Sequence, residues 1–281
     1  LKKLVVTADD FGMAPEVNEA VERGHRDGIL TATSLMVSGV AATDAVARAR
    51  AMPSLRVGLH IDLAEGRPVL PVETVPDLVN SEGRFHHNMV ISAFNIFLRP
   101  SVRLQMEAEI TAQFEAFAAT GLTLDHVNTH KHFHLHPTIS AAILKIGPRY
   151  GMRGLRVPWE DASVLRAAQP MENKKANAVD TFCAAWLHRR IRNSGLVVAD
   201  TVFGTAWTGS MTAARLRSLI ACLPDGLMEI YLHPATRDGG FEGAAAGHLY
   251  REELAALTDP AVIAAAHDPQ IRLGGYSDFA S

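Results

Sequence analysis

The strongest constraint on this chain is an alternation: a short run of β-forming apolar residues, a stretch with helical periodicity, then another apolar run. About seven such runs occur, each bounded by turn residues. Strands that alternate with helices pair in parallel through right-handed crossovers, so the expected class is α/β. A (β/α) barrel and an open doubly wound sheet both satisfy this pattern. In either one, function gathers at the carboxyl ends of the strands. Those ends carry Asp9 and Asp10, His60, His130, Arg156 and His233. One such residue would mean little; five strands ending in reactive groups is a pattern that the fold itself would bring together.

The first run, Leu4-Val5-Val6-Thr7-Ala8, stops at Asp9-Asp10-Phe11-Gly12. It reads as a buried strand delivering two carboxylates to its end. The plainer alternative is that one Asp caps the next helix and the other is solvated, since neighbours on a strand face opposite ways. Pro15 then opens a helix to about Asp27, with Val17, Ala20, Val21 and Gly24 on one face. Further strands are expected over 33–37, 55–62, 122–129, 155–158, 197–204 and 227–234. Helices are expected over 41–51, 101–120, from Pro137 onward, 180–194, after Thr212 and over 250–267. Residues 160–180 read as irregular. The basic cluster Arg189, Arg190 and Arg192 reads as a solvated face.

Residues 64–100 break the rhythm. Pro68, Pro71, Pro76, Gly66 and Gly83 punctuate a segment too long for a plain connection, so an excursion over the active face is expected. Within it, 89–98 is strongly apolar. It reads first as a core element; the alternative is a lid with an exposed apolar face for a lipid-like ligand or a membrane surface.

Composition narrows the classes. Hydrophobic residues make up 48% and charged residues 20%, as in a globular enzyme, and the net charge of -3 gives no broad basic face for nucleic acid. Cys183 and Cys222 stand alone, which excludes a C-x-x-C zinc site and suits a reducing compartment. No apolar run approaches the ~20 residues of a membrane span, and no secretory pattern is visible, so a cytoplasmic protein is expected. No internal repeat or linker composition divides residues 1–281, so a single domain is expected.

Thirteen histidines are the remaining signal, four of them at 130, 132, 134 and 136. If that stretch is extended, all four share a face; if a helix starts early, His130 and His134 share one. Converging imidazoles with a carboxylate suit a divalent ion, Zn²⁺ first, with Mg²⁺, Ni²⁺ or Co²⁺ open. An open coordination position would activate water near neutral pH. Of two adjacent acids, one can bind the ion while the other serves as general base. His233 is placed to protonate a leaving group, and Arg156 to hold a substrate oxygen or orient the base. There is no G-x-S-x-G elbow, P-loop or dinucleotide fingerprint.

The motifs Thr7-Ala8-Asp9-Asp10-Phe11-Gly12, Val57-Gly58-Leu59-His60, Asn128-Thr129-His130-Lys131-His132-Phe133-His134, Arg156-Val157-Pro158 and Leu232-His233-Pro234 resemble those of the YdjC-like, ChbG-type carbohydrate deacetylases. The resemblance runs over nearly the whole chain. Gly66-Arg67-Pro68-Val69-Leu70-Pro71 and Tyr250-Arg251-Glu252-Glu253-Leu254 resemble the hopanoid biosynthesis-associated members. The resemblance implies a distorted (β/α) barrel of about seven parallel strands, related to polysaccharide deacetylases. It implies one divalent ion on Asp10, His60 and His130, with Asp9 as base and His233 as acid. His132, His134 and Arg156 are then the residues expected to face substrate or support the site. The implied substrate is an N-acetylglucosaminyl hopanoid, a membrane lipid, which would bring the protein to the inner face of the cytoplasmic membrane through 89–98. The rival expectations are a deacetylase of soluble chitooligosaccharides, a non-catalytic metal-containing sugar- or lipid-binding protein, and a purely structural metal site.

Overall fold

A computed structural model describes residues 1–172, 178–191 and 194–280. All seven strands belong to one sheet and pair in parallel: β1 (Lys2–Phe11), β2 (Ala32–Leu35), β3 (Arg56–Ile61), β4 (Leu124–Thr129), β5 (Thr201–Phe203), β6 (Gly226–Leu232) and β7 (Ile271–Leu273). The order is β4-β3-β2-β1-β6-β5, with β7 on the first residues of β1. The helices are α1 (Pro15–Asp27), α2 (Ala42–Arg50), α3 (Met89–Leu98), α4 (Pro100–Ala119), α5 (Pro137–Ile146), α6 (Ala162–Ala168), α7 (Ala178–Ile191), α8 (Ala213–Ala221), α9 (Tyr250–Leu257) and α10 (Pro260–Ala266).

The sheet curls toward closure between β4 and β5, where the single bridges Val127–Leu155 and Gly154–Val197 stand in for a strand. The result is an α/β half-barrel, irregular on one side. Residues 155–158, expected as a strand, contribute only that bridging, because Pro158 cannot donate to a ladder. Central β1 is buried from Leu4 to Phe11, as both faces of a parallel sheet require. No helix among the described residues is long and apolar enough to cross a membrane.

The expected helices fall close to their places, with informative differences. In α1 the buried face also includes Asn18, whose Oδ1 accepts from Gly12 N at 2.8 Å while Nδ2 donates to Ala41 O and Asp44 Oδ2. The stretch 250–267 is two helices, because Asp259 caps a new one at Pro260. The segment 160–180, expected to be irregular, holds α6, capped by Asp161. In the basic cluster, Arg189 and Arg190 are exposed, and Arg192 lies outside the described residues.

The excursion is tied down by α4. Glu109 and Gln113, both buried, accept from Val69 N and Asp62 N and so fix the chain leaving β3. α3 is not core: only Ile96 is buried, while Val90, Phe94 and Phe97 are 66%, 63% and 58% exposed.

Gly12 closes the turn after β1 at φ +93, and an added Cβ would lie 2.9 Å from Met36 O. Gly12→Ala is expected to cost about 1–3 kcal/mol, read as a lower urea midpoint, since both conformation and space oppose it. An unchanged midpoint would contradict this geometry.

Candidate active site

The two acids of β1 reach one cavity because the strand loses its pleat at its end. Asp10 has φ +65, and the pairing with β2 shifts register between Ala8 and Phe11. Aspartate tolerates the left-handed region better than most residues. Adjacent side chains that would point to opposite faces therefore serve the same site through two different networks.

Asp10 joins the histidines. Its Oδ1 lies 3.2 Å from His60 Nε2 and 3.2 Å from His130 Nδ1, and the two nitrogens are 3.4 Å apart. Three donors arranged tetrahedrally at ~2.0–2.1 Å from one centre would stand ~3.3 Å apart, so this spacing fits a zinc-type ligand set. The hydrogen bonds fit it as well. Asn128 Nδ2 donates to Asp9 Oδ1 and Ser34 Oγ, which leaves Asn128 Oδ1 to accept from His60 Nδ1 at 2.7 Å. His60 Nδ1 is thus engaged by Asn128, which turns Nε2 toward Asp10 Oδ1 and His130 Nδ1, the orientation of a histidine that binds a metal through Nε2. Burial works against charge on His130, and the hydrogen bond and charge of Asp10 outweigh it, raising its pKa to about 9. Among the described residues this is the group of His, Cys, Asp and Glu side chains with the spacing to hold an ion.

Asp9 joins the arginine. It is buried and accepts from both Arg156 terminal nitrogens and from Ser34 Oγ at 2.8 Å. Burial pushes its carboxyl up, but the Arg156 guanidinium, with help from His60 and His233, holds it well below the usual carboxylate range. Arg156, also buried, reaches on to Glu229 at 2.8 and 3.0 Å and lies over the Tyr231 ring at 4.5 Å. Glu229 accepts in addition from Thr7 and Tyr276, both at 2.6 Å.

His233 follows β6. Ala8 pairs with Leu232, so Asp9 and His233 emerge from neighbouring strand ends. Its backbone N–H donates to Glu253, and its Nδ1 makes no hydrogen bond among the described residues. Burial lowers its pKa against the pull of Asp10 and Asp9.

The four histidines after β4 do not share a face. Lys131 and His132 have φ 54 and 53, so the chain makes a tight left-handed turn that is neither extended nor helical. His130 faces Asp10. His132 Nε2 meets Tyr231 Oη at 2.9 Å. His134 is buried with Nδ1 on Thr129 Oγ1 and Nε2 on the Arg156 carbonyl, both at 2.8 Å. His136 packs edge-on to Phe97 and Phe133.

Asp9, Asp10, His60, His130, His132 and His233 line a cavity of about 600 Å³. His134 and Arg156 do not line it. Of the two alternatives expected for them, facing substrate or supporting the site, their positions suit support: His134 has both ring nitrogens engaged, and Arg156 lies behind Asp9 with its fork divided between two carboxylates. His248 also faces the cavity, its ring 5.6 Å from that of His233. The excursion supplies the rim, where Glu65 pairs with Lys131, and Arg84 with Glu242 at 2.7 Å. Sequence reading gave no role to Ser34, Asn128, Glu229, Tyr231 or His248. The available signals are Asn128 at the head of the histidine motif and a glutamate, Glu229, inside the apolar run 227–232.

The chain matches the model of the YdjC-like proteins over residues 3–268. It belongs to that family. It is 31% identical over 277 residues to a carbohydrate deacetylase of Geobacillus stearothermophilus, covering 98% of this chain and 97% of that one. A carbohydrate deacetylase of Brevibacillus brevis is 39% identical over 159 residues, 56% of this chain and 60% of the relative. Among solved structures, an Enterococcus faecalis protein described provisionally as a cellobiose-phosphate cleavage protein superposes with a TM-score of 0.76 at 24% identity, covering 100% of this chain and 99% of that chain. That likeness concerns the fold.

Proposed function

We propose that this YdjC-like protein is a metal-dependent hydrolase that removes the acetyl group from an N-acetylglucosamine unit. The observation that carries the reading is the division of labour between Asp9 and Asp10: one acid is held on a histidine pair, its neighbour on an arginine, and both open on one cavity. The relatives named as carbohydrate deacetylases support it.

Asp10, His60 and His130 would hold one divalent ion, with Zn²⁺ favoured by two imidazoles and a carboxylate. Such an ion, when bound, lowers the pKa of water and polarises an amide carbonyl. The protein's own groups supply the proton transfers. Asp9, kept ionised by Arg156, accepts a proton from the water that adds to the acetyl carbon. His233 delivers a proton to the glucosamine nitrogen as the C–N bond breaks, releasing acetate and the free amine. Asn128 and Ser34 keep His60 in the tautomer that presents Nε2.

The finer reading is that the sugar is carried on a hopanoid lipid, by the likeness of 66–71 and 250–254 to that subgroup and by the exposed apolar surface of α3. It includes a cytoplasmic protein making peripheral contact with the membrane through 89–98.

A mass-spectrometric assay tests both levels. Metal-loaded protein is expected to deacetylate an N-acetylglucosaminyl hopanoid in preference to diacetylchitobiose, and a chelator is expected to abolish turnover until metal is restored. Turnover of chitobiose alone would remove the lipid assignment. Turnover that survives chelation, with metal shown to be gone, would remove the metal.

A further inference from the structure

We infer that Tyr276 is a positioning residue for the proposed base: acting through Glu229 and Arg156, its hydroxyl fixes the direction in which Asp9 faces the cavity. The inference rests on the deacetylase reading for the reaction, and on a buried column of side chains for the rest. Tyr276 lies beyond residues 3–268, the part of the chain that the family model matches.

The turn Tyr276–Phe279 enters the barrel from the end opposite the cavity. Gly274 N donates to Leu4 O at 3.1 Å, near the amino end of β1. Arg56, at the start of β3, forks onto Asp278 at 2.7 and 2.9 Å. Asp125, near the start of β4, accepts from the backbone N–H of Tyr276 and Ser277 at 3.1 and 2.8 Å. These ties aim the Tyr276 ring inward, where it is fully buried with Val5, Val202 and Tyr231. The His126 ring stacks on it at 5.0 Å, and a Cβ added to Gly154 would lie 2.7 Å from its Cδ1.

A ring that only filled this space would need no hydroxyl, and a buried phenol needs a partner. Tyr276 Oη donates to Glu229 Oε2 at 2.6 Å, the same oxygen that accepts from Arg156 Nε at 3.0 Å. Glu229 Oε1 accepts from Thr7 Oγ1 at 2.6 Å and from Arg156 Nη2 at 2.8 Å. An ionised carboxylate has about four acceptor sites, and here all of them are filled. Glu229 therefore cannot turn, and the guanidinium that it grips along the Nε and Nη2 edge is fixed in its plane. The other edge, Nη1 and Nη2, is presented to Asp9. Tyr276, Glu229, Arg156 and Asp9 thus form a column from the amino ends of the strands to the cavity. Without the Tyr276 hydroxyl, Oε2 is a donor short in a buried place, and the carboxylate closes on Arg156. That displacement passes along the planar fork to Asp9, where a misplacement of ~1 Å costs up to ~100-fold in rate.

Tyr276→Phe keeps the ring and removes the donor. It is measured on whichever of the two substrates above the unaltered protein turns over. In the metal-loaded variant kcat is expected to fall about five- to twentyfold, with KM changed less than about twofold, because the contacts of the substrate itself are untouched. Ser277→Ala is the control for stability alone, since it removes a hydroxyl of the same turn that serves Asp125 and not Glu229. Both variants are expected to lower the urea midpoint, and only Tyr276→Phe is expected to lower kcat. Nuclear magnetic resonance reads the column without turnover. The Arg156 Nε–H signal, assigned by its loss in Arg156→Lys, belongs to a proton that shares Glu229 Oε2 with Tyr276. It is expected to move in Tyr276→Phe and to stay in Ser277→Ala.

An unchanged kcat in Tyr276→Phe overturns the positioning role and leaves the deacetylase reading standing. A fall in kcat that Ser277→Ala matches, or one that leaves the Arg156 signal unmoved, also overturns it, because the effect then does not pass through Glu229. No acetyl release by the unaltered protein from either substrate overturns the deacetylase reading itself, and any role for Tyr276 in that reaction with it.

Discussion

Asp9→Asn is expected to leave the protein folded and metal-loaded while lowering kcat/KM about a thousandfold, within the range set by loss of a positioned general base. Asn keeps the size of Asp but offers one acceptor oxygen, so it cannot take up the proton that amide hydrolysis releases. Its Nδ2 would also face an Arg156 nitrogen, two donors opposed, so some loss of stability accompanies the loss of activity. Metal content is the readout that separates base from ligand. Asp9→Asn should retain one equivalent of zinc by elemental analysis. Asp10→Asn should lose most of it, because Asp10 is the acid 3.2 Å from both histidines. If Asp9→Asn loses the metal and Asp10→Asn keeps it, the roles are exchanged. If Asp9→Asn holds metal and retains a tenth or more of the activity, Asp9 is not the base.

Why two neighbouring acids part company here, and how much of that was legible, turn on the same residue. The apolar runs identified most strands, because parallel strands buried on both faces read as continuous apolar segments. The strand ends identify Asp9, Asp10, His60, His130 and His233, and the fold brings all five to one cavity. Strict strand alternation would have separated Asp9 from Asp10. Only the positive φ at Asp10 unites them, and a positive φ at a non-glycine residue leaves no pattern in the chain. The histidine-rich turn escapes sequence patterns for the same reason: φ near 54 at Lys131 and His132 scatters side chains that either regular geometry would align. β7 went unread because Ile-Arg-Leu is too short to show a period. The apolar stretch 89–98 reads first as core, since composition reports what a segment is made of and not what covers it; the exposure of Val90, Phe94 and Phe97 corrects that reading.

Arg156→Met is expected to produce the largest loss of stability. Arg156, Asp9 and Glu229 are all buried, and the single guanidinium answers two carboxylates. Removing it leaves two buried anions without a cation, at a cost of about 3–5 kcal/mol. In a chain of this size that corresponds to a fall in Tm of roughly 10 °C. The pH dependence identifies the cause. In the unaltered protein, burial raises both carboxyls, and Arg156 outweighs it, so both lie below their ordinary values. Their contribution is present above the unfolded pKa of ~4 and is lost as pH falls through the folded values. In Arg156→Met the burial effect loses its main opponent, with His60 and His233 near Asp9 and the Thr7 hydrogen bond at Glu229 still acting against it, and both folded values are expected to rise above ~4. The folded variant then binds more protons than the unfolded chain, so its stability falls as pH rises. The deficit measured by denaturant unfolding should therefore be greatest near neutral pH and narrow toward pH ~4. A deficit independent of pH would point to lost packing of the guanidinium over the Tyr231 ring instead of lost pairing with the two carboxylates. Arg156→Lys restores the charge but not the fork that grips Asp9 on one side and Glu229 on the other. It should recover part of the stability and little of the turnover, because Asp9 would keep its ionisation without its fixed direction.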